Sequence, residues 1–362
     1  MQTSMRGSRY VFLDAVRGFS ILWIVVFHLL NQHLSSYPPL AALFIKNGHL
    51  GVPIFFLASG FAVSTSAAKV LAGLDSPGRF IMNRLSRIYL PLFYSLLFAG
   101  FLIPALTWVL YHFSGYSTEG LFFSYSWPEW LGLFSLLKIF APATGDLNRS
   151  FLPINGALWF VAVLVQMYFV VYLALLKRQF YSIVIGVMTA VWLLVTVFQA
   201  EQSLPRGLFL PSWGPFVAGI GLYYLLNLGK IFVRIFIGLA CAVLLAFHFS
   251  SFTFSLFTAA GLWVLYPYDG FLARMRTVRF FIFINTFSYS VYLMHIPLDD
   301  LVSTLIGFIS PFPAQWTDMF LIVPAIVALS WLWSLAFEAR SGIWNRLFER
   351  AGERWFPRRV TN

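Results

Sequence analysis

Apolar runs broken by short polar segments dominate the chain and set the first expectation. Stretches of about 17–25 mainly apolar residues are long enough to cross a bilayer core as helices. They fall at 11–31, 48–66, 88–110, 156–176, 180–199, 211–228, 231–249, 251–267, 280–298 and 318–337. The pattern predicts an all-α, polytopic membrane protein with about ten transmembrane helices in a single domain spanning 1–362. One further apolar piece, WLGLFSLLKIFA (130–141), is too short to cross and contains Lys138, so it is expected as a re-entrant or interfacial helix. No internal repeat, low-complexity tract or domain-sized linker appears. The end of the chain, 338–362, includes WNRLFERAGERWFPRR, a basic amphipathic segment expected to lie on the inner leaflet.

Composition strengthens this picture. Of 362 residues, 60% are hydrophobic and 10% charged, with mean hydropathy +0.80, whereas soluble domains carry roughly 25% charged residues. The net charge of +11 does not point to nucleic acid, because the arginines cluster in short segments beside apolar runs and not on one face. With the N-terminus inside, Arg6, Arg9, Lys69, Arg79, Arg84, Arg87, Lys177, Arg178, Lys230, Arg234, Arg274, Arg276, Arg279 and the tail arginines all fall on the inner side. Only Lys46, Lys138, Arg149 and Arg206 fall outside. Positive loops resist translocation, so both termini are expected in the cytoplasm. No apolar stretch with a cleavage site precedes the first run, which argues against secretion. A single cysteine, Cys241, excludes a disulfide within the chain. The loop at roughly 111–155 is rich in aromatics, as a membrane interface or the cover of an external entrance would be.

The first run holds Asp14, Arg17 and His28. At 100° per residue, Arg17 and His28 differ by about 20° around the helix axis, and Asp14 lies about 60° from Arg17. An arginine in a span costs about 2.5–3.5 kcal/mol on insertion scales, so it must face protein or water. The three side chains share one stripe, which predicts the wall of a polar passage running from the inner third of the membrane to near its outer surface.

Several segments then agree, in order, with one family. LDAVRG (13–18) followed by His28 resembles the first helix of the acyltransferase-3 family of membrane O-acyltransferases. GVPIFFLASGF (51–61), RLSR (84–87), ALWFV (157–161) and FSYSVYLMHIP (287–297) resemble its later motifs, and Glu338 sits where a glutamate ends the last helix. The resemblance covers essentially the whole chain. It implies an acyltransferase that moves a short acyl group, acetyl above all, from acetyl-CoA or another acyl-CoA to a hydroxyl of a carbohydrate, glycolipid or related envelope acceptor. It also implies a bacterial inner membrane. Larger relatives carry an extra esterase-like domain; here transfer is expected to be completed by the membrane part or a partner.

The residues fit that chemistry. His28 is the candidate base for the acceptor hydroxyl, or the carrier of a transient acyl group, because imidazole titrates near the operating pH. Arg84 and Arg87, three apart, suit the phosphates of CoA through forked donors. Arg17 is expected to contact the pantetheine arm or to stabilise charge on the thioester oxygen, with Asp14 as its partner. Ser288, Tyr289, Tyr292 and His295 recur at helical spacing and, with Glu338, form the expected acceptor pocket near the depth of His28. Ser59-Gly60 is read as a packing step. His33, His49, His112 and His248 lie near span ends at no metal-ligand spacing, so no metal is expected. No tightly bound cofactor is expected, acyl-CoA being a co-substrate; the partners are the acceptor and the bilayer, and the oligomeric state is open. A transporter or flippase is the rival class, and a scaffold the third, which has no need for the polar stripe.

Overall fold

A computed structural model describes residues 10–114, 126–140, 154–205, 207–227, 251–307 and 313–338. The described chain is helical, with no strand among these residues. Its α-helices are α1 (Val11–Leu30), α2 (Pro39–Lys46), α3 (Gly51–Leu71), α4 (Pro77–Leu97) and α5 (Ile103–Ser114). There follow α6 (Trp127–Phe134), α7 (Leu158–Leu176), α8 (Tyr181–Val197), α9 (Trp213–Asn227) and α10 (Ser251–Leu265). The last are α11 (Asp269–Leu272), α12 (Arg276–Asn285), α13 (Ser288–Gly307), α14 (Ala314–Thr317) and α15 (Val323–Trp333).

The expected ten spans are not all found. Among the described residues, 6 helical stretches are long and apolar enough to cross: Val11–Ser36, Pro39–Leu71, Pro77–Val109, Leu158–Leu176, Arg178–Val197 and Asp318–Phe337. A bent pair, Arg276–Asn285 with Ser288–Ser303, makes a seventh. The run at 231–249 lies outside the described residues, as do Cys241, the tail and most of the 111–155 loop. The runs at 211–228 and 251–267 became α9 and α10, each of 15 residues. Each borders the undescribed stretch 228–250.

The run at 280–298 is one span in the sequence pattern but two helices in the structure, bent by 72° between Asn285 and Ser288. The local side chains explain the break. Thr286 Oγ1 donates to the Phe283 carbonyl at 2.6 Å, and Ser288 Oγ donates to the Asn285 carbonyl at 3.1 Å. Such local bonds offer the backbone an alternative to the helical ladder. The bend puts Asn285, Thr286 and Ser288 on the wall of one cavity, with Thr286 exposed.

Close helix approach is set by glycines. A Cβ on Gly18 would lie 1.8 Å from the Phe281 carbonyl oxygen, so α1 rests directly on the backbone of α12. Gly60 and Gly219 do the same reciprocally for α3 and α9, at 2.0 Å from the Phe216 oxygen and 1.8 Å from the Leu57 oxygen. Small residues replace side-chain bulk where lipid supplies no hydrophobic drive between helices. The expected packing role of the Ser59-Gly60 step is thus met at Gly60. α3 becomes the central helix, while α8 lies at the periphery with most of its surface outward.

Capping holds the ends. The Asp269 carboxylate of α11 accepts from the Val11 and Phe12 amides at 3.1 and 2.8 Å, which satisfies two orphan donors at the start of α1 and complements its dipole. Ser76 caps α4 by accepting from the Arg79 amide at 3.1 Å, with Pro77 at the first helical position. The short piece at 130–141 folds as α6, closed at its start by a Ser126–Glu129 capping box, and then breaks at Leu136, whose φ is +62°. The Trp130 ring covers Gly100 and stacks on Phe101 at 5.1 Å. The piece lies against the helix after α4 and does not cross.

Candidate active site

Four helices bring their polar positions together in layers. α1 and α13 rise in one direction, α3 and α7 in the other, so low numbers in one pair meet high numbers in the other. The resulting space is divided into two cavities.

The first has a volume of about 740 Å³ and receives Arg17 from α1 and Arg84 and Arg87 from α4. Ser59, Ala62 and Ser66 of α3 line it at helical spacing, as do Phe160, Leu164 and Tyr168 of α7. Asn285, Ser288 and Tyr289 come from the bend, and Ser334 from a π-helical turn, Ser334–Glu338, that ends the last span. The two arginines of RLSR differ in their freedom. Arg84 Nη2 donates to the Ala62 carbonyl and to Ser66 Oγ, both at 2.6 Å, and its guanidinium lies 5.6 Å from the centre of the Tyr168 ring. It cross-links α4 to α3. Arg87 is exposed and keeps its fork open to the cavity. Arg17 sits deeper, with its guanidinium 5.8 Å from the centre of the Phe55 ring.

Asp14 does not line this cavity; its Oδ1 accepts from Asn285 Nδ2 at 3.0 Å and so fixes a residue that does. Tyr289 is anchored by donating to the Ile88 carbonyl at 2.9 Å.

The second cavity has a volume of about 280 Å³ and lies at the other end of the same helices. His28 opens onto it, with His49, Pro53, Phe56, Trp159 and Ser212 around it. His295, fully buried, packs beside His28 with ring centres 5.2 Å apart. Its Nδ1 lies 2.8 Å from the Tyr292 carbonyl and 3.2 Å from the Val291 carbonyl. Carbonyl oxygens only accept, so these contacts assign the proton to Nδ1 and leave the lone pair on Nε2. Nε2 makes no hydrogen bond among the described residues.

Aromatic rings of Phe55, Phe56, Phe160 and Tyr292 lie between the cavities. Tyr292 borders both. Phe160 is 5.1 Å from Tyr292, 6.0 Å from Phe55 and 4.5 Å from Phe56, centre to centre. The Tyr292 hydroxyl donates to the Ala157 carbonyl at the start of α7.

The expected single passage is therefore corrected to two chambers. Arg17 and His28 do share a face of α1, but Phe55, Phe160 and Tyr292, carried by other helices, fill the space between them. The expected acceptor set is split as well. Ser288 and Tyr289 line the arginine cavity, His295 pairs with His28, and Tyr292 stands between. Glu338 closes the final π-helical turn by its backbone, and its side chain lies outside the described residues.

Asn285, Phe55, Phe160 and Trp159 are cavity residues that sequence reasoning missed. Asn285 carried a usable signal, a polar residue within an apolar run beside Thr286 and Ser288. His49, read as interfacial, borders the histidine cavity. Among the described residues no group of three His, Cys, Asp or Glu is arranged to hold a metal.

The family model for acyltransferase-3, described as an acyltransferase domain, matches residues 10–337. No curated protein and no solved structure matches the chain.

Proposed function

Because the chain belongs to the acyltransferase-3 family and is an integral membrane acyltransferase, we propose that it moves an acetyl group from acetyl-CoA to a hydroxyl of a carbohydrate, glycolipid or related envelope acceptor. The arginine cavity is the donor site and opens to the cytoplasm of a bacterial inner membrane. The histidine cavity is the acceptor site and faces outward. The observation that carries this reading is the two-chamber arrangement, in which a large basic cavity and a smaller one bordered by His28, with His295 packed behind it, meet at Tyr292.

Arg87 presents its donors to the CoA phosphates, with Arg84 held behind it by α3. Arg17 meets the arm of the donor as it runs inward, or the thioester oxygen as charge develops there. Asp14 orients Asn285 and acts through it. At the other face, His28 takes the proton of the acceptor hydroxyl while the hydroxyl oxygen bonds to the thioester carbonyl carbon. The carbon–sulfur bond then breaks, the acyl group leaves as an ester, and the CoA thiolate recovers the proton. A ring nitrogen lies about one bond length from its ring centre, so the 5.2 Å between His28 and His295 lets facing nitrogens approach hydrogen-bond distance. A turn of the His28 ring would let the lone pair of His295 Nε2, unbonded among the described residues, accept the N–H of His28 and keep the other nitrogen of His28 basic. His295 is a positioning residue in this scheme.

The test is acetyl transfer in native membrane vesicles, read by release of CoA thiol and by mass spectrometry of envelope glycans. His28→Ala is expected to lower kcat by about 10²–10⁴-fold. A variant that transfers acetyl at the normal rate removes His28 from the mechanism. His295→Ala is expected to lower kcat and leave KM for acetyl-CoA unchanged.

A further inference from the structure

We propose that Phe55, Phe160 and Tyr292 set the length of the acyl group that the enzyme transfers, with Phe160 as the principal determinant. This inference rests on acyl-CoA occupying the arginine cavity.

With the phosphates at Arg87 and the arm running toward Arg17, the acyl group is the leading end of the donor. Its carbonyl must come within reach of an acceptor hydroxyl held on the far side, beside His28. The aromatic layer stands on that route. Its three rings are all buried, at 6%, 4% and 3% exposure, and they touch one another in a closed triangle. Phe160 is the most closely backed member, because Phe56 closes it from the histidine side at 4.5 Å. Tyr292 is tethered by its hydroxyl to Ala157 and so swings least freely.

A two-carbon acyl group needs one small opening between these rings. Each further methylene has to displace a ring whose neighbours already fill the space, and interiors packed to this density do not absorb added volume without shifting. The layer therefore rejects longer chains by bulk alone, and the polar residues of either cavity are not needed for the discrimination.

The experiment measures CoA thiol release from acetyl-, propionyl-, butyryl- and hexanoyl-CoA in native membrane vesicles, which retain their own acceptors, against vesicles lacking the chain. The wild type is expected to favour acetyl-CoA over butyryl-CoA by about tenfold or more in kcat/KM, the range that one or two methylenes bring in an apolar site. Phe160→Ala, and more weakly Phe55→Ala, is expected to raise the butyryl-to-acetyl ratio by about tenfold. Tyr292→Phe keeps the ring and is expected to keep the ratio. Phe160→Leu removes less volume and shifts the ratio in the same direction should the alanine variant fail to fold. The proposal is overturned if folded Phe160 and Phe55 variants keep the wild-type ratio, if they lose turnover of every donor, or if the wild type does not discriminate. If the wild type releases thiol from no acyl-CoA, the donor assignment itself fails, and the length filter goes with it.

Discussion

Replacing Gly18 by alanine tests whether the seating of α1 on α12 shapes the arginine cavity. The added Cβ would start 1.8 Å from the Phe281 carbonyl oxygen, where real contacts essentially never fall below 3.0 Å. The obstacle is backbone, so no side-chain rotation relieves it. The two helices must part by about 1.2 Å, the difference between those distances. Two consequences follow within one turn. Arg17, the preceding residue, moves with α1 relative to Arg87 on α4. The bond from Asn285 to Asp14, 3.0 Å long and crossing the same interface, stretches beyond hydrogen-bond reach. Misplacement of about 1 Å in a site of this kind costs about 10²-fold in rate, and overpacking costs about 1–3 kcal/mol in stability. The expected result is a hundredfold loss of kcat/KM for acetyl-CoA and a fall in Tm, with helix content by circular dichroism retained. Gly186→Ala is the control, since nothing lies within 4 Å of a Cβ there. A Gly18→Ala enzyme within threefold of wild type would refute the reasoning.

Four other outcomes are expected. Arg87→Ala raises KM for acetyl-CoA and flattens its dependence on salt, and lysine restores it only in part because an ammonium lacks the fork; Arg84→Ala lowers Tm as well, since it removes two contacts to α3. Asp269→Ala strips the amides of Val11 and Phe12 of their acceptor and lowers stability by about 1 kcal/mol, measured by thermal unfolding in detergent. The backbone and side chain of Ser126 hold the Glu129 carboxyl below its ordinary value, so the cap of α6 is fully present above the unfolded value and is lost as pH falls through the folded one. Trp130 fluorescence is expected to change on acidification in that window and to stop changing in Glu129→Gln.

Much of the fold was legible because lipid imposes a simple rule, that a helix must carry about 20 apolar residues to cross. The rule located α1, α3, α7, α8 and the last span to within a few residues or a turn, and found α4 but missed its first eleven residues. Among the described residues it is met by six helical stretches and one bent pair. WGPFVAGIGLYYLLN makes α9, which is seated firmly on α3 through Gly219. The bend after Asn285 was overlooked. Hydropathy averages over Asn285, Thr286 and Ser288, whereas the backbone responds to their individual hydrogen bonds. The contact between Gly18 and Phe281 was out of reach, since nothing local to LDAVRG names its partner.

The site shows the same limit more sharply. Angular arithmetic correctly placed Arg17 and His28 on one inward face of α1, because that calculation concerns a single helix. Whether the space between them is open depends on what three other helices project into it. Phe55, Phe160 and Tyr292 are three aromatics in a chain with 41 phenylalanines and 16 tyrosines, and no spacing distinguishes them from ordinary packing residues. Their position gives the polar stripe a different meaning. An arginine and a histidine eleven residues apart on one wet passage would let water reach a thioester from both sides and hydrolyse it. On the proposed assignment, with an aromatic layer between them, the cation would hold the donor on one side and the imidazole would wait on the other. Water is then excluded at the one point where the two substrates have to meet. On this argument the cost of burying polar groups at two depths is tied to the closed layer between them, and opening that layer should release acyl groups to water before it accelerates their transfer.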